Sequence, residues 1–221
     1  MPPGRSIPRP PPARPKKPKP PDDASAPGTD LQKASGELVA LASQIRSCTA
    51  CDRECPDRAL GTGYPRAPIM LVKEQPSPAD AEAGEAFVED AEALTKAFEA
   101  LGIPLSWIYG STAVRCGSSP ATSDQIKACA THLLIEIEAV LPRVVVAFGT
   151  KTLDAFRALD GRCGIRLPEE VASGEPATLR SDLTLVLTEP LPEGITNKDA
   201  KRRLWRDLRR VPSLLGRSDV D

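Results

Sequence analysis

The chain has 221 residues, 40% hydrophobic and 27% charged, with a formal net charge of −1. That length fits one domain plus tails, and the near-neutral charge excludes a globally basic protein, so any surface for nucleic acid must be local. No apolar run approaches membrane-spanning length, and the first residues lack the apolar stretch of a secretory leader, so a cytoplasmic protein with no membrane partner is expected.

Residues 1–29 are rich in Pro and carry Arg5, Arg9, Arg14, Lys16, Lys17 and Lys19, with no acid before Asp22. Such a segment cannot bury apolar surface, and a disordered, partly polyproline tail is expected. It reads as a basic arm for nucleic acid, as a ligand for a proline-binding protein partner, or as a solubilising tail. The folded domain is expected over 30–215, and a monomer is the expected state.

Asp30 is a candidate N-cap for a first helix with Leu38, Leu41, Ala42 and Ile45 on one face. It leads to Cys48, Cys51 and Cys55. Ile69 to Val72 reads as a buried strand, followed by a polar loop broken by Pro76 and Pro78 and a helix start near Glu85. That helix runs to about Leu101 and ends at Gly102. Trp107 to Arg115 is the next expected strand, and a helix from Asp124 carries Cys129. Val144 to Phe148 and Leu183 to Leu187 are two further strands, with a helix over Lys151–Leu159 between them. The last helix, Asn197 to Val211, turns Leu204, Leu208 and Val211 inward and Lys198, Lys201, Arg202, Arg203, Arg206, Arg209 and Arg210 outward. Alternating helices and continuous apolar strands predict an α/β fold with a mostly parallel sheet covered on both faces. In such sheets ligands sit beyond the carboxyl ends of the strands, which points to Lys73–Pro76.

Six Cys in a reducing compartment favour metal or cluster ligation over disulfides. Cys48-x2-Cys51 with Cys116 and Cys129 makes a set of four soft thiolates suited to zinc or to an iron–sulfur cluster. A zinc ribbon brings two close pairs, whereas here the second pair is split by a dozen residues, which leans towards a cluster. Cys55 competes as a ligand, and Cys163, in a Gly-flanked loop, reads as a bystander.

These features in this order resemble the iron–sulfur uracil-DNA glycosylases, often called family 4. The counterparts of that family's motifs are Ile69-Met-Leu-Val-Lys-Glu-Gln-Pro-Ser77, Gly84-Glu-Ala-Phe-Val88, Ser111-Thr-Ala-Val-Arg-Cys116, Cys129, Pro142-Arg-Val-Val-Val-Ala-Phe-Gly149, Thr188-Glu-Pro190 and the closing Arg203-Leu-Trp-Arg-Asp-Leu208. The resemblance spans about residues 35 to 211. It implies a three-layer α/β/α sandwich, a structural 4Fe–4S cluster on Cys48, Cys51, Cys116 and Cys129, and DNA, duplex or single-stranded, as partner.

Excising uracil takes a flipped base, a ring to stack on it, an amide to read its edge and a donor to the oxygen that gains charge. By resemblance, Phe87 holds the stacking position, and Glu74 and Pro76 are retained in the loop. Gln75 replaces an Ala; a branch that bonds uracil covalently also has Gln there, with a His-containing insertion where this chain has only the short Gly117–Ser123 loop. Lys73 and Ser77 replace glycines that let the backbone approach the base. Thr112 replaces the edge-reading Asn, and one hydroxyl cannot reproduce an amide's paired donor and acceptor. Glu189 replaces the catalytic His, and Glu89 and Glu92 replace later glycines. The lone His132 reads as an ordinary, partly buried residue.

The working candidates are therefore Glu74, Gln75 and Glu189 for catalysis and Phe87 and Thr112 for the base. Two readings follow. One is a base-excision-repair glycosylase of altered chemistry, in which uracil excision is in doubt. The other is a non-catalytic protein that binds DNA or a partner.

Overall fold

A computed structural model describes residues 28–52, 55, 57–117 and 120–216. The expected Pro-rich tail lies outside the described residues, apart from its last two positions. Helix α1, Gly28–Arg46, already includes these, so Asp30 falls in the first turn instead of capping the helix. Its apolar stripe of Ala34, Leu41 and Ile45 is buried.

Four strands form the parallel centre of the sheet: β2 (Ile69–Lys73), β3 (Ile108–Thr112), β4 (Val144–Phe148) and β6 (Leu183–Thr188). Two antiparallel strands close its edges, β1 (Thr62–Gly63) beside β3 and β5 (Pro176–Arg180) beside β6. The order across the sheet is β1-β3-β2-β4-β6-β5. Strands β2 and β4 are buried along their whole length, which is why they read as unbroken apolar runs.

Helices cover both faces. On one, α1 packs with α4 (Ser123–Val140) and α5 (Thr152–Leu159) over Met70, Val72, Val145 and Leu185. On the other, α3 (Ala91–Ala100), α7 (Lys198–Leu208) and α8 (Val211–Leu215) cover Ile69, Leu71, Val144, Val146 and Val186. The fold is a three-layer α/β/α sandwich with a mostly parallel sheet. Among the described residues no helix is long and apolar enough to cross a membrane.

The largest departure from expectation follows β2. The stretch read as a loop up to a helix near Glu85 contains helix α2, Pro78–Ala83. Pro78 begins it, Ser77 and Asp80 cap it reciprocally, and Gly84 ends it in the left-handed conformation at φ 71°. Turns then carry the chain to α3, which begins only at Ala91. Strand β3 is likewise shorter than Trp107–Arg115, because Leu105–Trp107 forms a 3-10 turn and pairing stops at Thr112. The expected last helix, Asn197 to Val211, is α7 and the first residue of α8, and a short α6 (Leu191–Thr196) precedes it.

Candidate functional site

The register brings the candidates to one end of the sheet, at the carboxyl ends of its parallel strands. Lys73 lies opposite Thr112 on β3 and opposite Phe148 on β4, and Phe148 lies opposite Thr188 on β6. Register partners in a parallel pair point to the same face, so Lys73, Thr112 and Phe148 share the face covered by α3 and α7. Glu74 and Gln75 continue from β2, and Glu189 continues from β6.

Phe87 comes to this end from the turns after α2. It adopts φ 67°, a left-handed conformation costing a non-glycine residue about 1–3 kcal/mol. Asp80 supports the distortion. One of its carboxylate oxygens accepts the backbone N–H of Val88 at 2.8 Å and of Glu89 at 3.3 Å, the other that of Ser77 at 3.1 Å. The Phe87 ring meets Phe148 edge-on with centroids 6.0 Å apart. Beneath it lies Gly110, where a Cβ would stand 2.6 Å from the ring. A side chain at 110 would thus expel the ring from its place.

The side chain of Lys73 lies against the Phe87 ring. Its Nζ sits 4.9 Å from the centroid of the Phe87 ring, over the face. It pairs with Asp80 at 2.5 Å and Asp90 at 2.6 Å, and the lysine side chain is only 10% exposed. Burial pushes the Asp80 carboxyl up, but the Lys73 ammonium and the backbone donors outweigh it, and the carboxyl stays below its ordinary 3.8. Phe87, Lys73 and the two aspartates therefore form one closed unit.

The other candidates are also engaged. Glu74 accepts from Lys151 at 3.2 Å. The Gln75 side-chain carbonyl accepts the backbone N–H of Ala121 at 3.1 Å, just ahead of α4. Glu189 is gripped by Arg203 of α7 through two hydrogen bonds of 2.7 and 3.2 Å, which hold its carboxyl below the usual range. The anion that sequence leaves facing a departing base is half of an ion pair. Thr112 is fully buried, and its hydroxyl has no hydrogen-bond partner.

The cysteines converge on the opposite face of the sheet. Cys48, Cys51, Cys116 and Cys129 line one enclosed cavity with Arg58, Arg115 and His132. Arg58 ties the strand of loop to α1 by donating to the carbonyls of Arg46 (3.1 Å) and Cys48 (2.9 Å). Burial and the neighbouring Cys55 push the Cys116 thiol up to about 12, and burial raises Cys129. Among the described residues no three His, Cys, Asp or Glu side chains are gathered tightly enough to grip a single metal ion. Cys163 is exposed and lies outside the cavity.

Sequence reasoning missed three features here. His132 reaches Cys48, with Nε2 3.2 Å from Sγ, and so stands at the cavity wall. Arg115, fully buried, pairs with Glu136 at 2.6 Å, and Glu136 also binds Ser111 and Tyr109. Burial disfavours the Arg115 charge, but Glu136 more than restores it. The third is the Lys73–Asp80–Asp90 unit. No local spacing announces partners 7 and 17 residues apart in the chain.

The chain matches the Uracil DNA glycosylase superfamily over residues 60–209. It is 26% identical over 178 residues to a Pyrobaculum aerophilum protein named Type-4 uracil-DNA glycosylase, covering 74% of this chain and 91% of that one. A Thermotoga maritima protein of the same name is 30% identical over 133 residues, covering 57% and 68%. A third of that name, from Sulfurisphaera tokodaii, is 29% identical over 119 residues, covering 51% and 54%. With its motifs falling in that order on this sandwich, the chain belongs to the uracil DNA glycosylase superfamily.

Proposed function

We propose that this chain is a DNA-binding, iron–sulfur member of the superfamily, associated with base-excision repair, whose pocket does not excise uracil. The observation that carries this reading is the Lys73 ammonium lying over the Phe87 face, tied down by Asp80 and Asp90. A flipped uracil would have to stack on that face. To enter, it must displace a buried cation and leave two carboxylates unpaired, a disruption of about 3–5 kcal/mol. The lost Asn, replaced by Thr112, offers no paired contact in return.

The cluster belongs to the same reading. Cys48, Cys51, Cys116 and Cys129 line one cavity, and four soft thiolates suit an iron–sulfur cluster. Cys48, Cys51, Cys116 and Cys129 would hold it. Burial raises two of these thiols, and bound iron would supply the positive charge that stabilises their thiolates. The group would tie α1, α4 and the segment after β3 together, a structural service.

The test pairs two assays on protein purified without air. Binding to undamaged duplex and single-stranded DNA should be measurable at low salt, and excision across a panel of damaged bases should give no uracil release. A protein that binds no DNA at low salt would overturn the nucleic-acid part of the reading and favour a protein partner.

A further inference from the structure

We propose that the Lys73 pocket takes an extrahelical abasic deoxyribose, and that Lys73 Nζ captures its C1′ aldehyde as an imine. The inference rests on the DNA-binding reading above. Its first support is place. The protein's own amine lies over the Phe87 ring, the face on which the reading above would stack a base. A nucleotide carrying a base must displace that amine, whereas one that has lost its base has nothing to stack there and needs the amine only as a reactant. The ring-opened sugar is an aldehyde, and the group facing it is a primary amine.

The second support is the arrangement around the amine. As an ammonium Lys73 cannot attack a carbonyl, so a proton must leave first. Asp90 stands 2.6 Å away to accept it, and Lys73 is the sole partner of its carboxylate among the described residues. Asp80 is a poorer acceptor, because three backbone N–H groups and Lys73 hold it as a carboxylate. The freed amine adds to C1′, the carbonyl oxygen takes up the proton, and loss of that oxygen as water leaves the C=N bond. No oxidant or further reactant is needed. Thr112 lies opposite Lys73 in register, with a fully buried hydroxyl that lacks a partner, and so offers a bond to the departing oxygen or to the sugar. Phe87 and Phe148 keep the surroundings poor in water, which favours an imine over its hydrolysis.

The test treats the full-length, cluster-bearing protein with an oligonucleotide holding one abasic site and reduces the mixture with sodium borohydride. A one-to-one covalent protein–DNA species should form, and peptide mass spectrometry should place the DNA on Lys73. An oligonucleotide with a tetrahydrofuran in place of the abasic sugar should bind and give no adduct, because it has no aldehyde. Lys73→Arg keeps a cation between Asp80 and Asp90 and should keep the fold and the binding while losing the adduct. Asp90→Asn should slow adduct formation without abolishing binding. Tetrahydrofuran DNA that binds while aldehyde DNA leaves Lys73 unmodified would overturn the imine alone. Adducts confined to Lys16, Lys17, Lys19 or the N-terminal amine would overturn it equally. Absence of binding to either oligonucleotide would remove the DNA reading and this inference with it.

Discussion

Lys73 Nζ stands 4.9 Å from the centroid of the Phe87 ring, over the face on which, in the reading proposed above, a flipped base would stack. The residue that replaces a loop glycine therefore does more than thicken the backbone. It brings a cation over the ring, where Asp80 and Asp90 neutralise it. In the proposed reading this contact, more than Glu189, is the obstacle to uracil excision. A bare carboxylate about 4 Å from a developing anion would cost about 4 kcal/mol at an effective dielectric near 20. Arg203 offsets much of that charge and holds Glu189 ionised below its ordinary 4.5, so protonation cannot supply a donor near neutral pH.

The buried triad makes a stability prediction. Lys73→Met leaves two carboxylates facing each other without a cation and should destabilise the fold by about 3–5 kcal/mol. For a domain of this size that lowers the thermal midpoint on the order of 10 °C. Adding Asp80→Asn and Asp90→Asn should recover part of the loss. A Lys73→Met protein as stable as the wild type would show that the triad is broken in solution.

Acid should loosen the same unit. The Asp80 carboxyl titrates below its ordinary 3.8 in the folded protein, so its contribution is fully present above 3.8 and is lost as pH falls through the lower folded value. Protection of the amide hydrogens of Val88 and Glu89, both donors to Asp80, should hold at neutral pH and fall in that acid window. Asp80→Ala, which removes the acceptor, should lose the protection at every pH.

Much of the scaffold was readable because burial leaves a plain record. Strand β4 and most of β2 are apolar without interruption, β6 is apolar apart from Thr184 and Thr188, and α4 shows both its cap at Thr122 and its inward face. Helix α2 was hidden by Pro76 and Pro78, although Ser77 and Asp80 carry a reciprocal cap. Strand β5 begins at a proline and is half exposed, so it lacks the apolar run of its neighbours. In the pocket, the replacements at 73, 112 and 189 were visible as departures from a family pattern. Their partners were not: Asp80, Asp90 and Arg203 meet them only through the fold.

The cluster reading predicts brown protein with iron and sulfide near four each per chain, the stoichiometry of a four-thiolate cubane. Cys48→Ser and Cys129→Ser should lose colour and solubility, whereas Cys163→Ser, at an exposed position, should do neither. Stoichiometric zinc in protein prepared anaerobically with ample iron would sink the cluster assignment.

For DNA binding, the ion pairs on α7 sort its basic residues. Arg202, Arg203 and Arg206 are engaged by Asp199, Glu189 and Asp207. Lys198, Lys201 and Arg209 are exposed and make no ion pair among the described residues. Neutralising Lys201 and Arg209 should flatten the salt dependence of affinity by about 1 in log–log slope for each phosphate left without its cation. Neutralising Arg202 should change it less. Equal slopes for all the variants would place the phosphate-binding cations elsewhere.

The central claim is tested most directly by single-turnover uracil release, with cluster-bearing protein in excess over a uracil-containing oligonucleotide at neutral pH. The account predicts no release above the protein-free control from the wild type. It predicts measurable release once Lys73→Gly, Thr112→Asn and Glu189→His together reopen and re-equip the pocket. Robust release by the wild type would contradict it, because uracil would then be stacking where the Lys73 ammonium lies.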